Sequence, residues 1–371
     1  MSTALEFTED QAMILDGARA FCAEKSPMAA VRVLLDSETG YDPAVWEEMV
    51  ALGWPALAIP EQHGGAGLGI GTTVPLAEAM GRALLSTPFF SVTLAAQAIL
   101  RGGTEDQQAT WLPELASGTV ATLALLDGGD WGVPTTTCTA TREGGSLRLD
   151  GAKQFVSDAG VADAFLVWCT VDGADALVLV PRDALRAEAI TPHVVIDQTK
   201  RAGRVDFTGV TVAAENMLDQ EKTTSALRDV RLLGAMLVAA EATGSTAACL
   251  DVIVDYLKTR KQFGQYIGSY QALKHPTVDI LCAMDSARSL IYHAATVVGE
   301  SPLDEDAESA CRMAKAQAGD ALAFAGDRAV QFHGGMGFTY ECDAQLFIRR
   351  GRWLGQLFGD ASLHRARLAS T

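Results

Sequence analysis

The chain has 371 residues, 49% of them hydrophobic and 20% charged, enough for two or three structural layers without disulfide staples. Its 29 Lys and Arg are set against 46 Asp and Glu, a formal net charge of −17, which excludes nonspecific nucleic-acid binding because that depends on cations neutralising phosphates. Anionic small ligands stay open, since a few local arginines outweigh distant charge beyond a Debye length of ~8 Å.

Residues 1–116 read as helical. Phe7, Ile14, Leu15 and Ala18 form a helical stripe, and Thr8 followed by Glu9 and Asp10 reads as a helix start. Pro60–Gly71 carries five glycines and reads as a loop. Residues 117–222 change texture. Alternating, β-branched runs at Ser146–Leu149, Ala164–Thr170, Ala176–Val180, Ala189–Val195 and Arg204–Val212 lie between Gly, Pro and Asp clusters, the pattern of a β domain. Residues 223–371 return to helical spacing: one long helix over Arg228–Arg260, two more over His275–Gly299 and Asp304–Gly334, and a closing helix over Gly351–Ala369. Long helices with short joints predict a bundle. The fold class is therefore α+β, in the order helical domain, β domain, helical bundle.

Seven cysteines form no C-x-x-C pair, which predicts reduced thiols and no zinc site. Met1–Asp10 carries three acidic residues and no basic segment, unlike a signal peptide. No uninterrupted apolar run reaches the ~18 residues of a membrane span. These features predict a cytoplasmic location with neither membrane nor nucleic acid as partner.

Three stretches carry more specific information. They are Trp54-Pro-Ala-Leu-Ala-Ile-Pro60-Glu61-Gln-His-Gly64-Gly65, Tyr256–His275 with its core Arg260-Lys-Gln-Phe263-Gly264, and Gln331-Phe-His-Gly334-Gly335-Met-Gly337-Phe338. In this order and spacing, over essentially the whole chain, they resemble the acyl-CoA dehydrogenase family. The resemblance implies an N-terminal helical domain, a middle β-barrel-like domain and a C-terminal four-helix bundle. It also implies FAD as cofactor, an acyl-CoA substrate and electron-transferring flavoprotein as electron acceptor.

Arg260 offers a planar fork of donors suited to a pyrophosphate; read alone, it is equally a cation complementing a helix C-terminus. The Gly334-Gly335-x-Gly337 run allows close backbone approach to a ligand, or simply ends a helix. By resemblance, Arg260, Phe263, Gln271, Gln331, Gly334 and Gly335 match positions that hold FAD. The glycine segment serves a cofactor belonging mainly to the neighbouring subunit, which implies a dimer or a heterotetramer with a homologous partner. Phe155 and Ser157 match positions beside the flavin ring; without the resemblance, Phe155 is a strand core residue. Where the family has a Thr-Glu-Pro…Gly-Ser-Asp loop against flavin and substrate, this chain has Leu125-Leu-Asp127-Gly-Gly-Asp130-Trp-Gly132-Val133.

The family's chemistry needs a carboxylate to take the α-proton. Most members carry it as a Glu near the C-terminus, where this chain has Phe358. A minority carry it on the long helix, at the position matched by Gly234. The next carboxylate is Glu241, seven residues and two turns on, hence on the same face. It is the only charged residue between Arg231 and Asp251. A lone carboxylate on an apolar face favours its protonated form, which suits a base working near neutrality. Pairing with an arginine of another helix, or facing solvent, are the plainer readings of Glu241. Asp360 is a weaker candidate, and His275 and His333 read as structural or flavin-adjacent.

The absent C-terminal Glu resembles members acting on steroid side chains, several of which pair two unlike chains. Three readings follow: a dehydrogenase of a bulky acyl-CoA with Glu241 as base, a non-catalytic subunit that completes a neighbour's FAD site, and a helical scaffold without activity.

Overall fold

The computed structural model describes residues 9–132, 135–299 and 301–370. Helices α1 (Glu9–Lys25), α2 (Met28–Leu34), α3 (Pro43–Ala51), α4 (Thr73–Arg82), α5 (Phe89–Gly102) and α6 (Glu105–Ala116) come first. The expected stripe holds where it is described: Leu15 and Ala18 are buried, while Phe7 and Thr8 lie outside the described residues. The Pro60–Gly71 loop contains two single 3-10 turns. Helix α6 starts at a reciprocal cap, with Thr104 and Gln107 satisfying each other's backbone N–H.

The middle region forms two sheets. Strands β1 (Ala121–Ala124), β2 (Thr139–Glu143), β3 (Ser146–Asp150), β5 (Ala164–Val171), β6 (Ala174–Pro181) and β9 (Thr211–Ala213) make one; β4 (Ala152–Ser157), β7 (Ile190–Pro192) and β8 (Ala202–Asp206) make the other. Strand β5 is the centre of the larger sheet. It pairs in parallel with β1 and then β2 along one edge and antiparallel with β6 along the other. Seven of its eight residues are buried, so its near-continuous apolar run suits a strand covered on both faces. Strand β4 is bulged between Lys153 and Val156, and Phe155 within the bulge has φ of 50°. The sequence runs did not mark β1, β2 or β4. The run expected at Arg204–Val212 is two strands broken at a turn.

The C-terminal region holds α7 (Gln220–Thr259), α8 (Gln271–Val297), α9 (Glu305–His333), α10 (Ala344–Gln356) and α11 (Ala361–Leu368), with a two-residue hairpin, β10 (Lys261–Gln262) and β11 (Gln265–Tyr266), after α7. The long helix therefore starts eight residues before the expected Arg228. By length and composition α7 would cross a membrane, but 78% of its most apolar window is buried inside the protein, as befits a core helix. The closing helix expected over Gly351–Ala369 is two helices. They break at Leu357-Phe358-Gly359, where Phe358 and Gly359 take φ of 56° and 100° and Asp360 caps α11 through Leu363 N–H.

Helices α4 and α7 pack with backbones almost touching. A Cβ on Gly81 would lie 2.0 Å from the Glu241 carbonyl oxygen, and one on Gly244 would lie 1.9 Å from that of Glu78. This contact fixes the depth at which Glu241 sits. Six of the seven cysteines are buried and all are unpaired.

Candidate functional site

Helix α5, helix α7, the end of β4, the Asp197–Arg201 loop and the α10–α11 turn converge on one cavity. Its apolar wall includes Phe90, Leu94, Phe155, Val238, Trp353 and Phe358; its polar wall includes Thr87, Ser91, Asp158, Lys200 and Glu241. Of the residues singled out from sequence, Phe155, Ser157 and Glu241 meet here, and Phe358 joins them.

Glu241 is buried, but it is not alone. Arg350 Nη1 donates to its Oε1 at 2.6 Å, and Lys200 Nζ lies 2.7 Å from the same oxygen. Arg350 is fully buried and also donates to Asp197 and Thr199. The expectation of an isolated carboxylate is therefore corrected: a cation from α10 and one from the β7–β8 loop reach the helix face. Among the described residues, Oε2 takes no hydrogen bond.

A second carboxylate was not anticipated. Asp158 follows the expected Ser157, accepts from Ser91 Oγ at 2.6 Å, and has its carboxyl pushed up to about 6, chiefly by burial. The sequence offers no hydrophobic neighbour run that marks it. In the unfolded chain this group titrates near 3.9. Between about pH 4 and pH 6 the native state therefore binds more protons than the unfolded one, and stability falls as pH rises through that window. Asp158→Asn keeps an acceptor for Ser91. It is expected to match the parent below about pH 4 and to be more stable above about pH 6, by about 2 kcal/mol after allowing for screening of a partly buried group. Denaturation midpoints across pH test this. His364, pushed down to about 4 mainly by burial, titrates in the same window but alike in both proteins.

Phe358 occupies the place where the resemblance set a catalytic Glu, and its ring lies against Gly234, the other position for a base. A Cβ on Gly234 would come within 2.6 Å of the ring. Trp131, from the divergent loop, packs on the other side at 4.5 Å between centroids, and Arg231 holds that loop through the Trp131 carbonyl. Below it, Lys153 is fully buried and donates to Leu125 O, Asp127 and Thr136. Asp360 is a helix cap, which weakens it as a base.

The expected FAD residues of the bundle gather elsewhere. Arg260, Phe263, Gln271, Gln331, Gly334 and Gly335 are all exposed at one end of it. A separate apolar core containing Leu257, Ile267, Ala329 and Phe332 lies beneath that end. His333 stacks on Tyr256 at 4.1 Å and is fixed to the Ala329 carbonyl, a structural role. His275 is exposed. Phe263 and Gly264 take φ of 52° and 82° in the hairpin turn, so Phe263 stands 92% exposed. Gly334 has φ of 61° with ψ of −139°, a conformation that glycine alone adopts freely. Among the described residues Arg260 makes no side-chain hydrogen bond or ion pair. From Glu241 to Arg260 is roughly 28 Å along α7, at 1.5 Å per residue. The Arg260 surface and the cavity around Glu241 are thus separate places on the chain.

Comparisons with known proteins agree with this architecture. The pattern of the acyl-CoA dehydrogenase N-terminal domain matches residues 8–119, and that of the acyl-CoA dehydrogenase C-terminal domain matches residues 230–371. The chain is 30% identical over 353 residues to the acyl-CoA dehydrogenase IpdE2 of Mycolicibacterium smegmatis, covering 95% of each. A solved structure of a variant of the Tcur3481-Tcur3483 steroid ACAD superposes with a TM-score of 0.85 at 27% identity, covering 98% of this chain and 97% of that one. The ChsE4-ChsE5 complex from Mycobacterium tuberculosis shares the fold at a TM-score of 0.88 and 24% identity, over 99% of this chain and 98% of that one. The chain belongs to the acyl-CoA dehydrogenase family.

Proposed function

We propose that this chain serves, as one subunit of an oligomer, in the FAD-dependent α,β-dehydrogenation of an acyl-CoA thioester with a bulky, steroid side-chain-like acyl group. The observation that carries the reading is Glu241: a buried carboxylate on the wall of an apolar cavity, one oxygen held by Arg350 and Lys200, beside Phe155 and Ser157. Glu241 takes the α-proton on Oε2, while the apolar wall excludes water from the reacting carbons. FAD supplies the hydride acceptor. The residues fit it: Arg260 is an unpaired fork for the pyrophosphate, Gly334 and Gly335 leave backbone accessible, and Phe263, Gln271 and Gln331 surround them. Phe155 and Ser157 lie at the ring end. Because Glu241, which lines the cavity with Phe155 and Ser157, stands roughly 28 Å along α7 from Arg260, each cofactor on this reading draws on two chains. A dimer or a heterotetramer with a homologous subunit follows, and the similarity to the ChsE4-ChsE5 complex supports an unlike partner. Electron-transferring flavoprotein is the proposed acceptor, and the cytoplasm the proposed location.

One observation favours a second reading. Phe358, Trp131 and Gly234 fill both family positions for a base with apolar contact. A chain built this way also serves as a non-catalytic subunit that completes its neighbour's FAD site.

The test is flavin content per oligomer and anaerobic flavin bleaching by acyl-CoA, for the chain alone and co-expressed with its partner. Flavin at one per chain, bleached by substrate, supports the first reading. Half that content, with bleaching insensitive to changes at Glu241, supports the second. Arg260→Ala is expected to weaken FAD retention by roughly 1.5–3 kcal/mol, and Arg260→Lys to restore it only in part, because an ammonium lacks the fork. Equal retention by the Ala variant would reduce Arg260 to a helix-end charge.

A further inference from the structure

The cavity that holds Glu241 is not uniformly apolar. Its polar wall brings together Thr87, Ser91, Asp158 and Lys200, from the segment leading into α5, from α5 itself, from the end of β4 and from the β7–β8 loop. A pocket meant only for a hydrocarbon chain gains nothing from these groups, since each costs free energy unless it is paired. Ser91 is paired with Asp158. Lys200 gives one contact to Glu241 and lies 5.2 Å above the Phe90 ring, and an ammonium has three donors. Thr87 is the outlier. It is 4% exposed, it lines the cavity, and its hydroxyl has no hydrogen-bond partner. Thr93, Gln345 and His364 also hold unpaired buried atoms, but of these four residues Thr87 alone lines this cavity, where a ligand atom can reach it.

The charges decide what kind of atom. Arg350 and Lys200 are matched by Asp197 and Glu241, so the network has no surplus cation for a carboxylate. Arg201 also borders the cavity, but its guanidinium is used on the carbonyls of Leu34, Leu35, Ser37, Gln198 and Lys200. An added anion would face Asp158 and Glu241 without compensation. A neutral oxygen meets no such penalty. It accepts from Thr87 Oγ1 and from a remaining Lys200 proton; if it is a hydroxyl, it also donates to a carboxylate oxygen of Asp158.

We infer that the acyl group recognised by this cavity carries a neutral oxygen function, a hydroxyl or a ketone, away from the thioester, and that Thr87 and Lys200 are the residues that select it. The inference rests on the reading above that this cavity receives the acyl chain.

The experiment uses the purified FAD-loaded assembly, with quenching of Trp131 and Trp353 fluorescence as the binding signal. The probes are CoA thioesters of four, six and eight carbons, each unsubstituted, ω-hydroxylated or ω-carboxylated. At the length that reaches the polar wall, the ω-hydroxy thioester is expected to bind roughly tenfold tighter than its unsubstituted counterpart, the value of one hydrogen bond from a charged donor. Thr87→Val, close to isosteric, is expected to erase most of that preference while leaving the unbound protein at least as stable, since it removes an unpaired hydroxyl. Lys200→Met is expected to erase the preference as well. Equal or tighter binding of the unsubstituted thioester at every length overturns the inference and leaves the dehydrogenase reading standing. Tighter binding of the ω-carboxy thioester overturns the choice of a neutral oxygen. Retention of the preference in Thr87→Val removes Thr87 from the selection and with it the inference. Failure of every thioester to bind overturns this inference and the assignment of the cavity together.

Discussion

Arg350→Ala is expected to destabilise the protein by about 3–5 kcal/mol, the usual cost of removing one partner from a buried ion network. Arg350 is fully buried and donates to Asp197, Thr199 and Glu241. Without it, Asp197 keeps only Thr199 as donor, and Glu241 keeps only Lys200. The loss is larger than that of a surface pair because both stranded carboxylates are buried. Arg350→Lys is expected to recover little, since one ammonium does not fork to three acceptors on two elements. Replacing Arg350, Asp197 and Glu241 together by apolar or neutral residues of similar volume is expected to cost less than Arg350→Ala alone, because two stranded carboxylates are then replaced by a single unpaired ammonium, that of Lys200, at the cavity wall. Thermal midpoints of the three proteins, measured on the same assembly, check the order. A single variant within about 1 kcal/mol of the parent would show that solvent or another cation replaces Arg350.

Arg350 also shows where reading the sequence stops. Its α10 neighbours Leu346, Phe347 and Leu354 give a helical period, yet the expected closing helix starts only at Gly351, seven residues after α10 begins, and so leaves Arg350 outside it. That Arg350 points inward, onto groups 109 and 153 positions away, is not legible, because the choice between an exposed and a buried arginine is made by tertiary partners. The long helices α7, α8 and α9 are legible because periodicity sustained over many residues is hard to mistake. Strands β1, β2 and β4 are short or carry charged and polar residues, and pattern alone does not separate them from loops. No proline interrupts the expected closing helix; the break at Phe358 depends on two left-handed residues, only one of them glycine. Glu241 was found as the only carboxylate on its helix face, and it does line the cavity. Its two cations were not found, since Lys200 and Arg350 each lie in segments whose local pattern gives them no reason to meet. Trp131 and Asp158 belong to the same class. They matter through a contact across the chain, Trp131 with Phe358 and Asp158 with Ser91, and not through their own surroundings in sequence.

Glu241→Gln is expected to lower turnover by ~10²–10⁴-fold, the range for loss of general-base catalysis, with FAD content near that of the parent. The substitution suits the geometry. Gln retains an acceptor oxygen for Arg350 Nη1 and Lys200, so the cavity wall keeps its shape, while the atom that would take the α-proton becomes an amide nitrogen. Arg350 still has Asp197, so the variant is expected to fold. The measurement is the rate of anaerobic flavin bleaching on mixing the assembled oligomer with acyl-CoA, which follows the chemical step and not product release. Phe358→Glu is the companion. It places a carboxylate over Gly234, where the ring now packs, and separates it from Trp131. Introduced together with Glu241→Gln, it is expected to return part of the activity toward a small acyl-CoA, because the removed ring leaves room and the new carboxylate stands at the family's usual position. If Glu241→Gln bleaches at the parental rate, the proton leaves by another group. Asp360, committed as the cap of α11, is a poor substitute, so the base then lies on the partner chain and this subunit contributes the FAD half-site around Arg260 and Gln331.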